Sequence, residues 1–463
     1  MFPRDDRQSI ALAAGVVDHR PFGGRVFVGV VEAGAADGAS IALQDSGVAT
    51  PSALERLLSK GRLRATLFML GPAFVATIAY VDPGNIATNV QGGAQYGYLL
   101  LWVVLAANLI AMLIQYLSAK LGIVTDQNLP ETIRACWPRA FSWGMWVQAE
   151  IMAMSTDIAE FLGAAIGLNL LFHVPLLPAG IITGVIAFAI LELQTQGFRR
   201  FEVAITALLG IIFLGFLYET LRIGPSTSGS LRGLIPGLTG TSSLYIAAGI
   251  VGATVMPHVI YLHSALTQGR MPCRNDQERA RVIQFERFDV IIALGLAGLA
   301  NLAMLAVAAK LFHTSALNGL STIQQAHAEF AHLAGGTAAL AFAVALLASG
   351  ASSASVGTYA GQVVMAGFIN VRLPLPLRRA LTMIPAITVL AVGMDPTRAM
   401  VLSQVVLSFG IPIALIPLIM MTDRRDIMGI HVNRRITTIT AWICTIAISA
   451  INAFLIYQQF FMR

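Results

Sequence analysis

Eleven long apolar stretches follow one another along the chain, at about 65–93, 98–122, 142–172, 176–195, 202–221, 243–268, 288–311, 336–364, 379–394, 399–421 and 436–460. A helix needs roughly 20 apolar residues to cross a bilayer, and most of these stretches are about that long or longer. They run apolar throughout, without the alternation of an outer-membrane strand. Turn chemistry separates them: Gly-Pro-Ser-Thr-Ser-Gly at 224–229, Leu-Pro-Leu-Pro at 373–376, and Asp395-Pro396. The pattern predicts an all-α polytopic membrane protein. Residues 1–61 differ. Their apolar runs, 10–17 and 26–31, are too short to span, and acids near the start argue against a signal peptide. They read as a poorly ordered cytoplasmic tail, or as an over-extended start, ahead of a transmembrane domain over 62–463.

Composition agrees. Of the 463 residues 56% are hydrophobic and only 12% charged, against about 25% charged in an average soluble domain. Mean hydropathy is +0.73. These values exclude an ordinary cytosolic enzyme, a disordered chain and a disulfide scaffold. Three scattered cysteines make no zinc site. With the N-terminus placed inside, 25 of the 30 Lys and Arg residues fall on the inner side, and only Arg222, Arg232, Lys310, Arg398 and Arg463 fall outside. The asymmetry predicts N-in, C-out and an odd number of spans. It also explains the net charge of +6 without a nucleic-acid partner. The expected setting is the cell (inner) membrane, with the lipid bilayer as surroundings and no obligatory protein partner evident.

Two spans are interrupted. The first contains Asp82-Pro83-Gly84-Asn85, the sixth Gly252-Ala253-Thr254-Val255-Met256-Pro257-His258. Proline removes an N–H, and broken backbone at membrane depth survives only inside protein or beside a wet cavity. Each interrupted span opens a set of five. Broken helices at matching positions in two halves point to a transporter binding site. The groups at the breaks are the Asp82 carboxylate, the Asn85 amide oxygen, the Met256 thioether, and carbonyls near Ala79 and Ala253. None is cationic, so the set reads as a cation site. Taken alone, Met256 is ordinary core packing. Beside Pro257 and opposite Asp82, its sulfur favours softer transition metals over Mg²⁺ or Ca²⁺.

Acids also lie inside the third span. Glu150, Asp157 and Glu160 are two turns and one turn apart and share a stripe, which cannot face lipid. Arg378 and Arg379, at the start of the ninth span, are the natural counter-charges. His258 and His263 add groups that titrate near neutral pH. The stripe is either a proton relay or a static ion-pair network. His327, Glu329 and His332 mimic a zinc-protease box, but the histidines are spaced i, i+5 and diverge on a helix. The GxxxG pairs Gly163/Gly167 and Gly357/Gly361 predict close helix packing.

The chain resembles the Nramp family, proton-coupled divalent-metal transporters, over about residues 62–460. The resemblance rests on Asp82-Pro83-Gly84-Asn85, Met256-Pro257-His258, Ala360-Gly361-Gln362, Asp157-Ile158-Ala159-Glu160, and Gly197-Phe198-Arg199-Arg200 with Glu202. It implies a LeuT-type fold: inverted repeats at about 62–222 and 240–422, and an extra helix at about 436–460. It implies import of Mn²⁺ or Fe²⁺ with H⁺, and no resident cofactor or enzymatic activity. Asp82, Asn85 and Met256 would ligate the metal by side chain, Ala79 and Ala253 by carbonyl, and Gln404 would join in some states. Asp82, His258, His263, Glu150, Asp157, Glu160, Arg378 and Arg379 would form the proton and salt-bridge network. The eighth span, Ser349-Gly350-Ala351-Ser352-Ser353-Ala354, departs from the pattern of many relatives. The rival reading is a LeuT-fold amino acid/Na⁺ symporter, which would need a positive group for the substrate carboxylate.

Overall fold

The computed structural model describes residues 53–59, 61, 71–193, 198–313 and 322–461. The expected tail lies almost wholly outside the described residues, as does the start of the first span. All regular structure among the described residues is helical. A short α1 (Ala53–Ser59) precedes the first broken span, α2 (Pro72–Thr77), a 3₁₀ turn (Ile78–Val81) and α3 (Pro83–Tyr96). Then come α4 (Leu101–Thr125), α5 (Leu129–Cys136), α6 (Arg139–Phe172), α7 (Leu176–Glu192), α8 (Phe198–Ile223) and α9 (Thr227–Gly233). The second broken span is α10 (Thr241–Thr254) and α11 (Pro257–Thr267). The remainder is α12 (Asp276–Ala308), α13 (Ile323–Leu333), α14 (Gly336–Ile369), α15 (Leu375–Ala391), α16 (Pro396–Thr422), α17 (Arg425–Met428) and α18 (Arg435–Phe461).

Local chemistry sets the ends. Proline occupies the first turn of α2, α3, α11 and α16, where a missing N–H costs nothing. Asp82, Asn275 and Asp395 accept backbone N–H groups as N-caps, and Asn128 forms a reciprocal capping box with Glu131. Asp126, His173 and Asn370 close α4, α6 and α14 in the left-handed conformation. Helix α12 begins twelve residues before the apolar stretch expected at 288. The Asn275 cap and the acidic first turn start it outside the apolar zone, so hydropathy alone misses the onset.

Eight helical stretches among the described residues are long and apolar enough to cross a bilayer, and Pro72–Val81 and Leu176–Glu192 are shorter apolar helices. The expected GxxxG pairs sit at close helix contacts. A Cβ on Gly163 would overlap the Pro83 ring, one on Gly167 would stand 2.9 Å from the Leu347 Cα, and one on Gly357 2.9 Å from Glu160 Oε2. The long helices α6 and α14 therefore meet almost backbone to backbone, with the first break against them. Helix α18 is peripheral, with Ala441, Thr445, Ile448 and Asn452 as its buried stripe.

Gly163→Val should lower the detergent melting temperature by several degrees and cut transport, because the added branch meets the rigid Pro83 ring. Gly144→Ala on the same helix meets nothing within 4 Å. It should leave the melting temperature unchanged or raise stability by about 0.5–1 kcal/mol.

Candidate metal site and its polar surroundings

The first break opens where Asp82 leaves the helix with extended backbone, φ −70° and ψ 168°. Its Oδ1 accepts the Asn85 backbone N–H (2.8 Å) and the Asn85 side-chain Nδ2 (2.7 Å). The same Nδ2 donates to the Ala253 carbonyl across the second break (2.9 Å), and Thr254 Oγ1 donates to Asn85 Oδ1 (3.3 Å). One amide thus joins the two fractures. Other carbonyls freed at the first break have their own donors. Asn301 Nδ2 serves Tyr80 O at 2.7 Å, and Ser349 Oγ serves Val81 O at 2.6 Å. Ser349 belongs to the stretch that departs from the family pattern, and it directly supports the break.

In the second break, Val255 and Met256 are non-helical between α10 and α11. Met256 is fully buried, as are Asp82, Asn85, Ala253 and Gln404. Gln404 comes from α16: a Cβ on Gly84 would overlap its amide and stand 3.0 Å from Asp82 Oδ2. Only glycine at 84 lets the two side chains approach. Asp82 Oδ2 and Gln404 Oε1 are both buried without hydrogen-bond partners. An orphaned buried oxygen is costly, and here two side chains that each carry one pack against a single glycine; among the described residues no Lys or Arg is hydrogen-bonded to either oxygen. That donor set fits a cation. The Asn85 amide presents its NH₂ to Asp82 and Ala253, so ligation through its oxygen requires the amide to turn and release both bonds.

The acidic stripe is paired at two of its three positions. Arg378 donates from Nη1 to Glu150 Oε1 (3.1 Å) and from Nη2 to Oε2 (2.9 Å), a bidentate bridge that Trp146 Nε1 joins at 3.1 Å. Arg379 Nη1 donates to Asp157 Oδ1 (3.2 Å) and Thr358 Oγ1 (3.3 Å). Both carboxylate oxygens of Glu160 are buried without hydrogen-bond partners. His258 Nδ1 lies 3.3 Å from Thr156 Oγ1, so it reaches the acid-bearing helix, and its Nε2 is buried and unpartnered. His263 does not join this group. Its ring bridges Gln115 Oε1 (2.8 Å) and Glu286 Oε1 (2.9 Å), and Gln115 Nε2 donates to the Tyr80 hydroxyl at 2.5 Å. The expected single network is therefore two networks, because residues 258 and 263, five apart on α11, point to different neighbours.

Several partners escape a reading by hydropathy. Glu286 lies before the expected seventh stretch. Asp289 Oδ2 accepts the Gly71 and Ala73 N–H groups (3.2 and 3.0 Å) and so caps α2 from a distance. Glu202 accepts from Arg270 (2.5 Å) and Arg199 (2.9 Å). Asn301 and Glu219 had a visible signal, being polar groups inside apolar stretches. Glu219 is buried, and neither of its carboxylate oxygens has a hydrogen-bond partner. No three His, Cys, Asp or Glu side chains converge among the described residues, which disposes of the histidines of α13 as a metal box.

Two apolar helices fractured at matching places, joined by the Asn85 amide and carrying an unpartnered Asp82 oxygen at one break and a buried thioether at the other, define a polytopic secondary transporter. Residues 73–458 match the family described as natural resistance-associated macrophage protein-like. The chain is 50% identical over 396 residues to the divalent metal cation transporter MntH of Deinococcus radiodurans, covering 86% of this chain and 91% of that one. It is 50% identical over 398 residues to the protein of the same name from Bacillus subtilis, covering 86% and 93%. A solved structure of the Eremococcus coleocola manganese transporter, bound to an aromatic bis-isothiourea substituted compound, is 34% identical. It matches with a TM-score of 0.79 over 90% of this chain and 91% of that one. Mhp1, a nucleobase-cation-symport-1 family transporter, matches at TM-score 0.51 and 12% identity over 83% and 90%, which speaks for the shared LeuT-type fold alone. The chain belongs to the Nramp family.

Arg378 and Glu150 are both buried, at 2% and 9% exposure. Glu150→Leu alone should cost about 3–5 kcal/mol by stranding a buried guanidinium. Glu150→Leu combined with Arg378→Leu should recover most of that loss, read as a double-mutant cycle of melting in detergent.

Proposed function

We propose that this divalent metal cation transporter carries Mn²⁺ or Fe²⁺ into the cytoplasm together with protons, across the cell (inner) membrane. The observation that carries the proposal is the orphaned Asp82 Oδ2 beside the broken ends, with the Gln404 amide, whose own Oε1 is orphaned, packed against the same glycine, Gly84. Asp82, Asn85, Met256 and Gln404 form the side-chain ligands, and Ala79 and Ala253 offer carbonyls. A thioether contributes little to Ca²⁺ or Mg²⁺ and more to transition metals, so Met256 tilts the site toward the latter.

Asp82 serves both ions, taking metal or proton at the same carboxylate. His258, Glu160, Asp157 and Glu150, with Arg379 and Arg378, carry the proton toward the cytoplasm. His263 acts in its own cluster with Gln115 and Glu286. The membrane potential favours entry by roughly 2.3 kcal/mol per charge per 100 mV. Eleven spans with the N-terminus inside, repeats at about 62–222 and 240–422 and an extra helix at about 436–460 complete the proposed topology. The amino acid/Na⁺ alternative is disfavoured, because among the described residues no Lys or Arg side chain hydrogen-bonds to the candidate ligands.

In proteoliposomes carrying an internal pH dye, Asp82→Ala should abolish both Mn²⁺ uptake and the accompanying acidification. Met256→Ala should keep uptake of Mn²⁺ but admit Ca²⁺; unchanged exclusion of Ca²⁺ would refute the thioether's role. A cysteine placed within 224–232 should label with a membrane-impermeant reagent from outside intact cells, and labelling only after permeabilisation would reverse the topology.

A further inference from the structure

Helix α16 carries a proline in its interior, and a residue outside the two repeats meets the consequence. Pro412 has no N–H, so the Ser408 carbonyl four residues earlier lacks its intrahelical donor. In a membrane no water supplies that donor, and the carbonyl must find a side chain. Asn452 Nδ2 donates to Ser408 O at 2.7 Å, and Ser408 Oγ donates back to Asn452 Oδ1 at 2.8 Å. The two residues thus close a ring of two hydrogen bonds between α16 and α18.

Asn452 lies on the buried stripe of α18, and Ile439, Ile443 and Ile446 on its other faces are 58%, 60% and 64% exposed. An amide inside an apolar helix is expensive unless both its ends are used, and here both are. Ser408 lies one turn beyond Gln404. The segment of α16 around these two residues is held on two further sides. A Cβ on Gly252 of α10 would overlap the Gln404 carbonyl and stand 2.9 Å from the Ser408 nitrogen. A Cβ on Gly410 would overlap Met152 of α6 and stand 2.8 Å from Gln148 Nε2. Asn452 supplies the third side.

We infer that Asn452 is a positioning residue for metal binding: it stands in for the N–H that Pro412 lacks, and so fixes the turn of α16 that holds Gln404 over Gly84 beside Asp82. The inference rests on Gln404 belonging to the metal shell. Asn452 touches no ligand of the metal. Its effect passes through one backbone turn, and the extra helix thereby takes part in substrate binding although it belongs to neither repeat.

The test is a double-mutant cycle on the full-length protein with Asn452→Ala, Pro412→Ala and the pair, plus Gln404→Ala. It reads melting temperature in detergent and the KM for Mn²⁺ in proteoliposomes. Asn452→Ala should lower the melting temperature by several degrees and raise KM about fivefold, the scale of one lost hydrogen bond. With Pro412→Ala the Ser408 carbonyl regains a donor, so removing Asn452 should then lower the melting temperature by less than half as much. If Asn452→Ala never reaches the membrane, the double variant should; failure of that rescue overturns the inference. An equal melting loss in both backgrounds overturns it, as does a KM unchanged by Asn452→Ala. A KM unchanged by Gln404→Ala, with the melting coupling intact, would instead remove Gln404 from the metal shell and leave only the brace.

Discussion

Backbone exposed at membrane depth governs this molecule. A helix in lipid satisfies itself, and each proline interruption surrenders that self-sufficiency. Every carbonyl traced here at an interruption is matched by a polar side chain: Tyr80 by Asn301, Val81 by Ser349, Ala253 by Asn85, and Ser408 by Asn452. The four donors come from four different helices. The breaks are therefore a property of the bundle, and one helix cannot be fractured productively without its neighbours. This also explains why asparagine and serine appear inside otherwise apolar stretches.

The second constraint is charge. Glu150 and Asp157 are neutralised pairwise by consecutive arginines of α15, and Glu202 is shared by Arg270 and Arg199. Such bridges contribute little net stability against apolar substitutes, since desolvation offsets much of the attraction. They do fix which helix lies beside which. Asp82 and Glu160 are left outside these bridges, as is the buried Glu219 of α8, and each keeps at least one carboxylate oxygen without a hydrogen-bond partner.

Much of this was legible in the residues themselves. Pro83-Gly84 and Pro257 announce the breaks because they remove hydrogen bonds whatever the tertiary context. The i, i+7, i+10 spacing of Glu150, Asp157 and Glu160 forces them to one face. What stayed hidden depends on partners distant in the chain. That His263 turns to Glu286 and Gln115 follows from how α11 sits between α4 and α12, which no local pattern encodes. The onset of α12 stayed hidden for another reason: hydropathy marks where a membrane begins, and an N-cap such as Asn275 marks where a helix begins.

The Asn85 amide links the two constraints. Its NH₂ lies between Asp82 Oδ1 and the Ala253 carbonyl, which leaves Oδ2 as the unpartnered oxygen of that carboxylate. A dication held through Asp82 Oδ2 leaves those N–H bonds in place; one that also takes the Ala253 carbonyl and the Asn85 oxygen requires the amide to turn, giving up its bonds to Asp82, Ala253 and Thr254. A proton on Asp82 weakens the carboxylate as a ligand, so in the proposed mechanism proton and metal oppose each other at that group. On the proposed function metal and proton would compete for that one carboxylate, with the unpartnered Glu160 as the candidate receiver for the proton that the metal would expel.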